Sequence, residues 1–77
     1  MHILVIPKKL IAKVTEAQAE DEALLGHLMR VAGKVAEQEG HGEAFRLVVN
    51  NGAAVGQSVF HLHLHILAGR DFMWPPG

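Results

Sequence analysis

The most regular alternation of apolar and polar positions in this chain lies at residues 57–67. His61, His63 and His65 alternate there with apolar residues. Strict alternation predicts a strand with one buried face, and we place this strand at 59–67. The three imidazoles would project from one face with a spacing of about 7 Å. The side chains expected to enter the core from the other face are those of Phe60, Leu62, Leu64 and Ile66.

The rest of the pattern predicts two more strands and one amphipathic helix. A first apolar strand should end before Pro7, because proline cannot donate to a strand ladder. Thr15 and Gln18 have the spacing of a capping box, and apolar residues then recur every three or four positions, as on one face of a helix. The predicted elements are a strand at 2–6, a helix at about 16–39, a strand at 45–50, the histidine strand at 59–67 and an irregular C-terminal tail at 70–77.

These elements predict an α+β fold, an antiparallel sheet with the helix packed on one face. The turn at 51–56, which contains Gly52 and Gly56, should join the second and third strands as a hairpin with a long connection. With 77 residues the chain is one small domain, which would bury only about 60% of the surface of its unfolded form.

Composition and charge exclude several classes of function. The chain has no cysteine and therefore neither disulfides nor thiolate chemistry. A net charge of -1 without a basic run argues against nucleic-acid binding. No apolar run reaches the roughly 18 residues that a membrane span needs. We expect an intracellular protein, cytoplasmic or nuclear, and the sequence leaves a mitochondrial form open.

The histidine row has several chemical interpretations. An imidazole can attack phosphorus, transfer protons or bind a metal, and two histidines at alternate positions of a strand could chelate zinc. The alternative without a function is that three imidazoles share a surface by chance. Asn50, Gly56, Gln57 and Ser58 lie close by in the sequence. A turn with free N–H groups beside these residues could bind an anion such as phosphate.

The segment His61–Leu67 resembles the His-x-His-x-His-x-x motif of the histidine triad (HIT) superfamily, in which x is apolar. It is most similar to the branch of histidine triad nucleotide-binding proteins, which are purine nucleoside phosphoramidases. Other segments match in the same order, so the resemblance covers essentially the whole chain. These segments are 4–9 (LVIPKK), 24–28 (LLGHL), 48–50 (VVN), 56–59 (GQSV) and 74–77 (WPPG).

The resemblance implies an enzyme that hydrolyses the P–N bond of purine nucleoside 5′-phosphoramidates without a metal or cofactor. His63 would attack the α-phosphorus and form a nucleotidyl-histidine intermediate, while His61 and His65 would flank it and hold the phosphate. Ser58 would hydrogen-bond the departing amine, and Gln57 would help to place the phosphate.

The resemblance also implies further contacts and a partner. Asn50 and Gly56 would lie on the phosphate-binding loop, with Asn50 contacting the phosphate or the ribose. His2 would buttress His61. The tail at 74–77 would lie near the active site of the other subunit of a homodimer. The bound partner would be a purine nucleotide of the AMP or GMP type.

Two alternatives to this enzyme remain open, and the resemblance itself suggests one of them. Family members of this branch are longer at the N-terminus, where the residues that hold the purine and ribose would lie. The chain is therefore expected to lack the first strands of the full domain, which would leave the apolar edge at 3–6 open and cause oligomerisation or poor solubility. It could then be a catalytically silent binding or dimerisation module, or a zinc site. Asn50 could also serve only as a turn former, Ser58 as a cap of the turn, and His2 as part of a frayed terminus.

Overall fold

Three antiparallel strands form one sheet, in which the strand that contains the end of the histidine row is central. The computed structural model describes all residues from Met1 to Gly77. The strands are β1 (His2–Val5), β2 (Arg46–Val48) and β3 (Leu64–Leu67), in the order β1-β3-β2. One long helix, α1 (Glu22–Gln38), packs on one face. The predicted α+β class is confirmed, and β2 and β3 are antiparallel neighbours as expected for the hairpin.

The helix begins later than its apolar pattern predicts. Two single turns of 3-10 helix, Val14–Glu16 and Ala19–Asp21, precede α1. The predicted capping box at Thr15 is wrong, because the amide and hydroxyl of Thr15 both donate to the side-chain oxygen of Asn51. The observed capping box joins Gln18 and Asp21 and starts the second 3-10 turn.

The core lies between α1 and the inner face of the sheet. Ala32 and Ala36 have no exposed surface, so the helix backbone can approach the sheet closely at the fully buried Ile66. The apolar side chains of the helix therefore pack against those of the histidine row, as predicted. Phe60 is the exception, because 48% of its surface is exposed. The eight residues of the core cluster are Val5, Ile11, Leu28, Ala32, Ala36, Leu62, Leu64 and Ile66.

The third strand is shorter than predicted, because no neighbouring strand accompanies residues 59–63. β1 ends at Val5, two residues before Pro7, so the ladder to β3 extends only to the pair of Val5 with Leu64. Of the preceding residues, Leu62 donates its backbone N–H to the carbonyl of Ile11 over 2.7 Å. His61 and His63 therefore precede the regular sheet, and His65 lies within it.

None of the helices is both long enough and apolar enough to cross a membrane.

Candidate active site

The structure brings four imidazoles together on the face of the sheet opposite the helix. The ring centroids of His63 and His65 are 4.9 Å apart, and those of His65 and His2 are 5.0 Å apart. His61 adjoins this cluster through its backbone, because its carbonyl oxygen lies 2.7 Å from Nδ1 of His63. The alternation in the sequence therefore does place its histidines on one side.

His63 has a fixed ring orientation and tautomer. Its Nδ1 lies 2.7 Å from the carbonyl oxygen of His61, and a carbonyl oxygen can only accept a hydrogen bond. Nδ1 therefore carries the hydrogen, and Nε2 of the neutral ring keeps a lone pair. A histidine held in this way can act as a nucleophile or as a base through Nε2.

His61 is oriented by a residue that sequence reasoning did not identify. Its Nε2 donates to the carbonyl oxygen of Pro7 over 2.9 Å. Pro7 was predicted only to end the first strand, yet its buried position also supplies this acceptor. The bond joins the start of the histidine row to the end of β1.

His65 is the most shielded member of the cluster. Its Nε2 is buried without a hydrogen-bond partner, whereas its Nδ1 lies 2.7 Å from Nε2 of His2. Burial lowers the pKa of His65 below its ordinary value, and the charges of His63 and His2 lower it further. His65 is therefore a neutral imidazole near pH 7.

His2 lies against His65 and not against His61, which corrects the expectation from the resemblance. The register explains this position, because His2 pairs with Leu67 and Leu4 pairs with His65 across β1 and β3. His2 and His65 are thus diagonal neighbours on the same face of an antiparallel pair. Their rings are stacked with an interplanar angle of 29°.

Gln57 is buried, and its side-chain amide is bonded to the backbone at both ends. Its Oε1 accepts from the N–H of Gly52 over 2.7 Å. Its Nε2 donates to the carbonyl oxygens of Ala12 at 2.8 Å and Val59 at 3.1 Å. An amide nitrogen has two hydrogens, so neither is free. The expected direct contact of Gln57 with a phosphate group therefore does not fit this geometry.

The other residues predicted to bind phosphate, Asn50, Gly56 and Ser58, belong to the same loop as Gln57. Ser58 is exposed, and no hydrogen bond joins Ser58 or Asn50 to the histidines. Gly56 has a φ of +102°, a backbone conformation that L side chains rarely adopt. Nδ2 of Asn50 lies 4.0 Å from the point where a Cβ on Gly56 would stand. Asn50 and Gly56 are thus close together.

An open cavity of about 250 Å³ adjoins two of the histidines. Its walls combine the imidazoles of His61 and His63 with the apolar side chains of Leu4, Ile6 and Val59. Leu4 and Ile6 were predicted to be part of an apolar edge, and 47% and 51% of their surfaces are exposed. The cavity could accommodate a small group beside the ring of His63.

The arrangement of side chains bears on the zinc alternative. No group of three or more His, Cys, Asp or Glu side chains is placed so as to hold a metal ion. His61 and His63 each use one ring nitrogen on a backbone carbonyl, which leaves one nitrogen on each ring for other contacts.

The fold and the site define an α+β domain with a row of alternate histidines beside a glycine-containing loop. The model of the HIT domain family matches residues 1–72, and the chain belongs to this family. The chain is 61% identical over all its 77 residues to an uncharacterized HIT-like protein from Synechocystis sp., and it covers 68% of that protein. A HIT-like protein from Synechococcus elongatus is 56% identical, again with 68% of its length covered.

Solved structures show the same fold. A HIT family hydrolase from Legionella pneumophila superposes with a TM-score of 0.94 at 45% identity, over 99% of this chain and 69% of that chain. A HIT family hydrolase from Clostridium thermocellum superposes with a TM-score of 0.88 at 44% identity, over 94% of this chain and 64% of that chain. The chain thus spans about two thirds of the length of these relatives.

Proposed function

We propose that the chain carries the phosphate-reacting site of a HIT-type nucleotide hydrolase, which cleaves the P–N bond of purine nucleoside 5′-phosphoramidates. The observation that carries the proposal is the tautomer of His63, whose Nδ1 is tied to the carbonyl oxygen of His61. Two similar solved structures are described as HIT family hydrolases, which supports hydrolysis as the general reaction.

In the first step, the lone pair on Nε2 of His63 forms a bond to the α-phosphorus. The P–N bond of the substrate breaks, and its electron pair leaves with the amine, which takes up a proton. The product of this step is a nucleotidyl-histidine intermediate. The Nδ1 hydrogen stays bonded to the carbonyl of His61, which stabilises the positive charge that develops on the ring.

In the second step, water attacks the phosphorus from the side of the departed amine. The N–P bond to His63 breaks and returns its electron pair to Nε2, while the water proton is released. The products are a nucleoside monophosphate and the free amine. Covalent catalysis of this kind divides one difficult displacement into two easier ones.

The neighbouring side chains have supporting roles in the proposal. His61 and His65 flank the reacting group, and the ring of His65 packs against that of His63 with a centroid distance of 4.9 Å. Ser58 would donate to the leaving amine because its hydroxyl is exposed at the end of the loop. Asn50 and Gly56 would contact the phosphate or the ribose.

The proposed assembly is a homodimer. Residues of the C-terminal tail are exposed in the single chain, with Trp74 at 83% and Met73 at 78%. An aromatic side chain left in water in this way usually gains by docking on a surface. The resemblance to histidine triad nucleotide-binding proteins suggests that this surface belongs to a second copy of the chain.

The alternative function is a binding or dimerisation module without turnover. The cavity beside His63 favours it, because two of its walls are the half-exposed side chains of Leu4 and Ile6. An open cavity gives a purine ring little enclosure. Such a chain would bind nucleotides weakly and would not orient them for attack.

Hydrolysis of a fluorogenic adenosine phosphoramidate tests the proposal. Turnover should be measurable with the unmodified chain and should fall by roughly three orders of magnitude or more in His63→Ala. His27→Ala is the matched control, because His27 lies exposed on α1. Binding of AMP without hydrolysis by a folded chain would favour the module, and equal activity in His63→Ala would exclude His63 as the nucleophile.

A further inference from the structure

We propose that Gln57 is a positioning residue, whose buried amide fixes the loop of residues 50–58 to the segment of residues 11–15. It thereby holds Ser58 and Val59 in place at the start of the histidine row, where Val59 lines the cavity with His61 and His63. The inference rests on the proposed function for its catalytic consequence. It replaces the direct phosphate contact that the sequence resemblance implies for Gln57.

The side chain of Gln57 is nearly saturated with hydrogen bonds. Only 3% of the residue is exposed, and its two amide hydrogens go to the carbonyl oxygens of Ala12 and Val59. Its oxygen accepts the N–H of Gly52, and its own backbone N–H donates to the carbonyl of Gly52 over 3.1 Å. One side chain therefore bridges three separate stretches of backbone.

Other contacts dock the same two segments. Oδ1 of Asn51 accepts from the backbone N–H of Thr15 at 3.0 Å and from its hydroxyl at 3.2 Å. At the other end, the N–H of Leu62 donates to the carbonyl oxygen of Ile11 over 2.7 Å. Along the chain, the contact of Gln57 with Ala12 lies between these two anchors.

The docked loop leads directly into residues of the candidate site. Ser58 follows Gln57 directly, and Val59 both accepts a hydrogen bond from Gln57 and lines the cavity with His61 and His63. A shift of the loop would therefore change the distance between Ser58 and the reacting ring. A misplacement of about 1 Å at a reacting centre can lower a rate about 100-fold.

Two variants of Gln57 and one control test the inference. Gln57→Met conserves the volume of the side chain and removes all three of its hydrogen bonds. Gln57→Glu keeps an oxygen that can accept from the N–H of Gly52. It replaces the amide nitrogen, which donates to Ala12 and Val59, by a carboxylate oxygen that cannot donate. Gln38→Met is the control, since it makes the same change at an exposed position at the end of α1.

Hydrogen exchange of the Gly52 amide, followed by NMR, reports on the bridge itself. Exchange should accelerate at least about tenfold in Gln57→Met and also in Gln57→Glu, whose carboxylate would face the carbonyl oxygens of Ala12 and Val59, whereas Gln38→Met should keep the amide protected. Unchanged protection in Gln57→Met would overturn the inference. If Gln57→Met does not fold, full protection of Gly52 in folded Gln57→Glu, with the loop still docked, would overturn it as well.

Kinetics separate positioning from a merely structural role. With an adenosine phosphoramidate, kcat of Gln57→Met should fall about 100-fold at a temperature well below its Tm, with a smaller change in KM. An unchanged kcat for the folded variant would mean that Gln57 contributes stability alone, and positioning would be wrong. A large rise in KM with Gly52 still protected would instead restore a direct phosphate contact.

The two proposals fail in different ways. If the unmodified chain shows no turnover, the proposed function fails. The protection of the Gly52 amide from exchange and the AMP-induced shift of the Ser58 amide then still decide the inference. Loss of both in Gln57→Met supports the bridge, and retention of both contradicts it.

Discussion

Nε2 of His2 lies 2.7 Å from Nδ1 of His65, and the two rings are stacked at 5.0 Å. The pair joins β1 to the central strand on the face that carries the site. Because both partners are imidazoles, one nitrogen donates and the other accepts, which requires at least one of the rings to keep a lone pair. A second proton on both rings would break this bond.

The stability of the protein should therefore fall when the pH falls below about 6.5. Burial is the largest cause of the lowered pKa of His65, followed by the charges of His63 and His2. The unfolded chain then binds more protons than the folded chain, so the contribution of His65 is present above its unfolded pKa of about 6.5 and is lost below it. Urea unfolding at pH 7.5 and pH 5.5 would measure the difference.

The variant His2→Phe identifies the source of this effect. It keeps an aromatic ring stacked against His65, and it removes the charge of His2 and its hydrogen bond to His65. An NMR titration should show the pKa of His65 rising partway towards its ordinary value. No change in that titration would mean that the contact with His2 does not influence the protonation of His65.

Asp21 should determine much of the stability in acid. It is buried, accepts the backbone N–H of Gln18 over 2.8 Å and forms an ion pair with Lys9. The hydrogen bond from Gln18 is the first cause of its lowered pKa, and the Lys9 ammonium is the second. The stabilisation is complete above the unfolded pKa of about 3.9 and is lost as the pH falls through the lower folded pKa.

The matching experiment compares Asp21→Asn with Asp71→Asn, a change in the exposed tail. Thermal unfolding at neutral pH should show a Tm several degrees lower for Asp21→Asn and an unchanged Tm for the control. The acid dependence below about pH 4 should be weaker in Asp21→Asn than in the unmodified chain. Parallel pH profiles in the two variants would argue against this role.

The contact between the helix and the sheet should dominate the free energy of unfolding. Ile66 is fully buried on the central strand, within the core cluster that includes Ala32. Ile66→Ala should lower the free energy of unfolding by about 2–5 kcal/mol, since it removes buried methyl groups and leaves a cavity. Denaturant titration measures the change. In so small a domain the variant should be largely unfolded at 37 °C. A decrease of less than about 1 kcal/mol in the free energy of unfolding would mean that the core tolerates the cavity.

An apolar groove beside α1 should make the chain associate. Its lining is apolar throughout and includes the partly exposed side chains of Met29, Val14 and Val49. Size-exclusion chromatography with light scattering should give a dimer or larger species. Met29→Glu should shift it towards the monomer, whereas Val55→Glu, at an exposed position outside the groove, should not. A monodisperse monomer for the unmodified chain would contradict the expectation.

The sequence predicts the type and order of the main elements, because the periods of α1 and of the histidine row are strong. It predicts their boundaries less well, since these depend on partners distant in the chain. The row of 59–67 alternates along its length, but only Leu64–Leu67 has neighbouring strands to pair with. Thr15 has the pattern of a helix cap, yet the side chain of Asn51 takes both of its donors.

The same limit applies to the candidate site. Alternation alone places His61, His63 and His65 on one side of the chain. It does not reveal that the Pro7 carbonyl holds His61, that His2 meets His65, or that Gln57 turns into the protein. Each of these contacts depends on the register between β1 and β3 or on the docking of a loop. Neither has a local signature in the sequence.

The central claim is that Nε2 of His63 is the nucleophile, and trapping its intermediate tests it most directly. The chain is mixed with an adenosine phosphoramidate, quenched within the first turnover and mapped by peptide mass spectrometry. We expect an adenylyl group on His63 and none in His63→Ala. An adduct on another residue, or turnover by the unmodified chain without any adduct on His63, would contradict the mechanism.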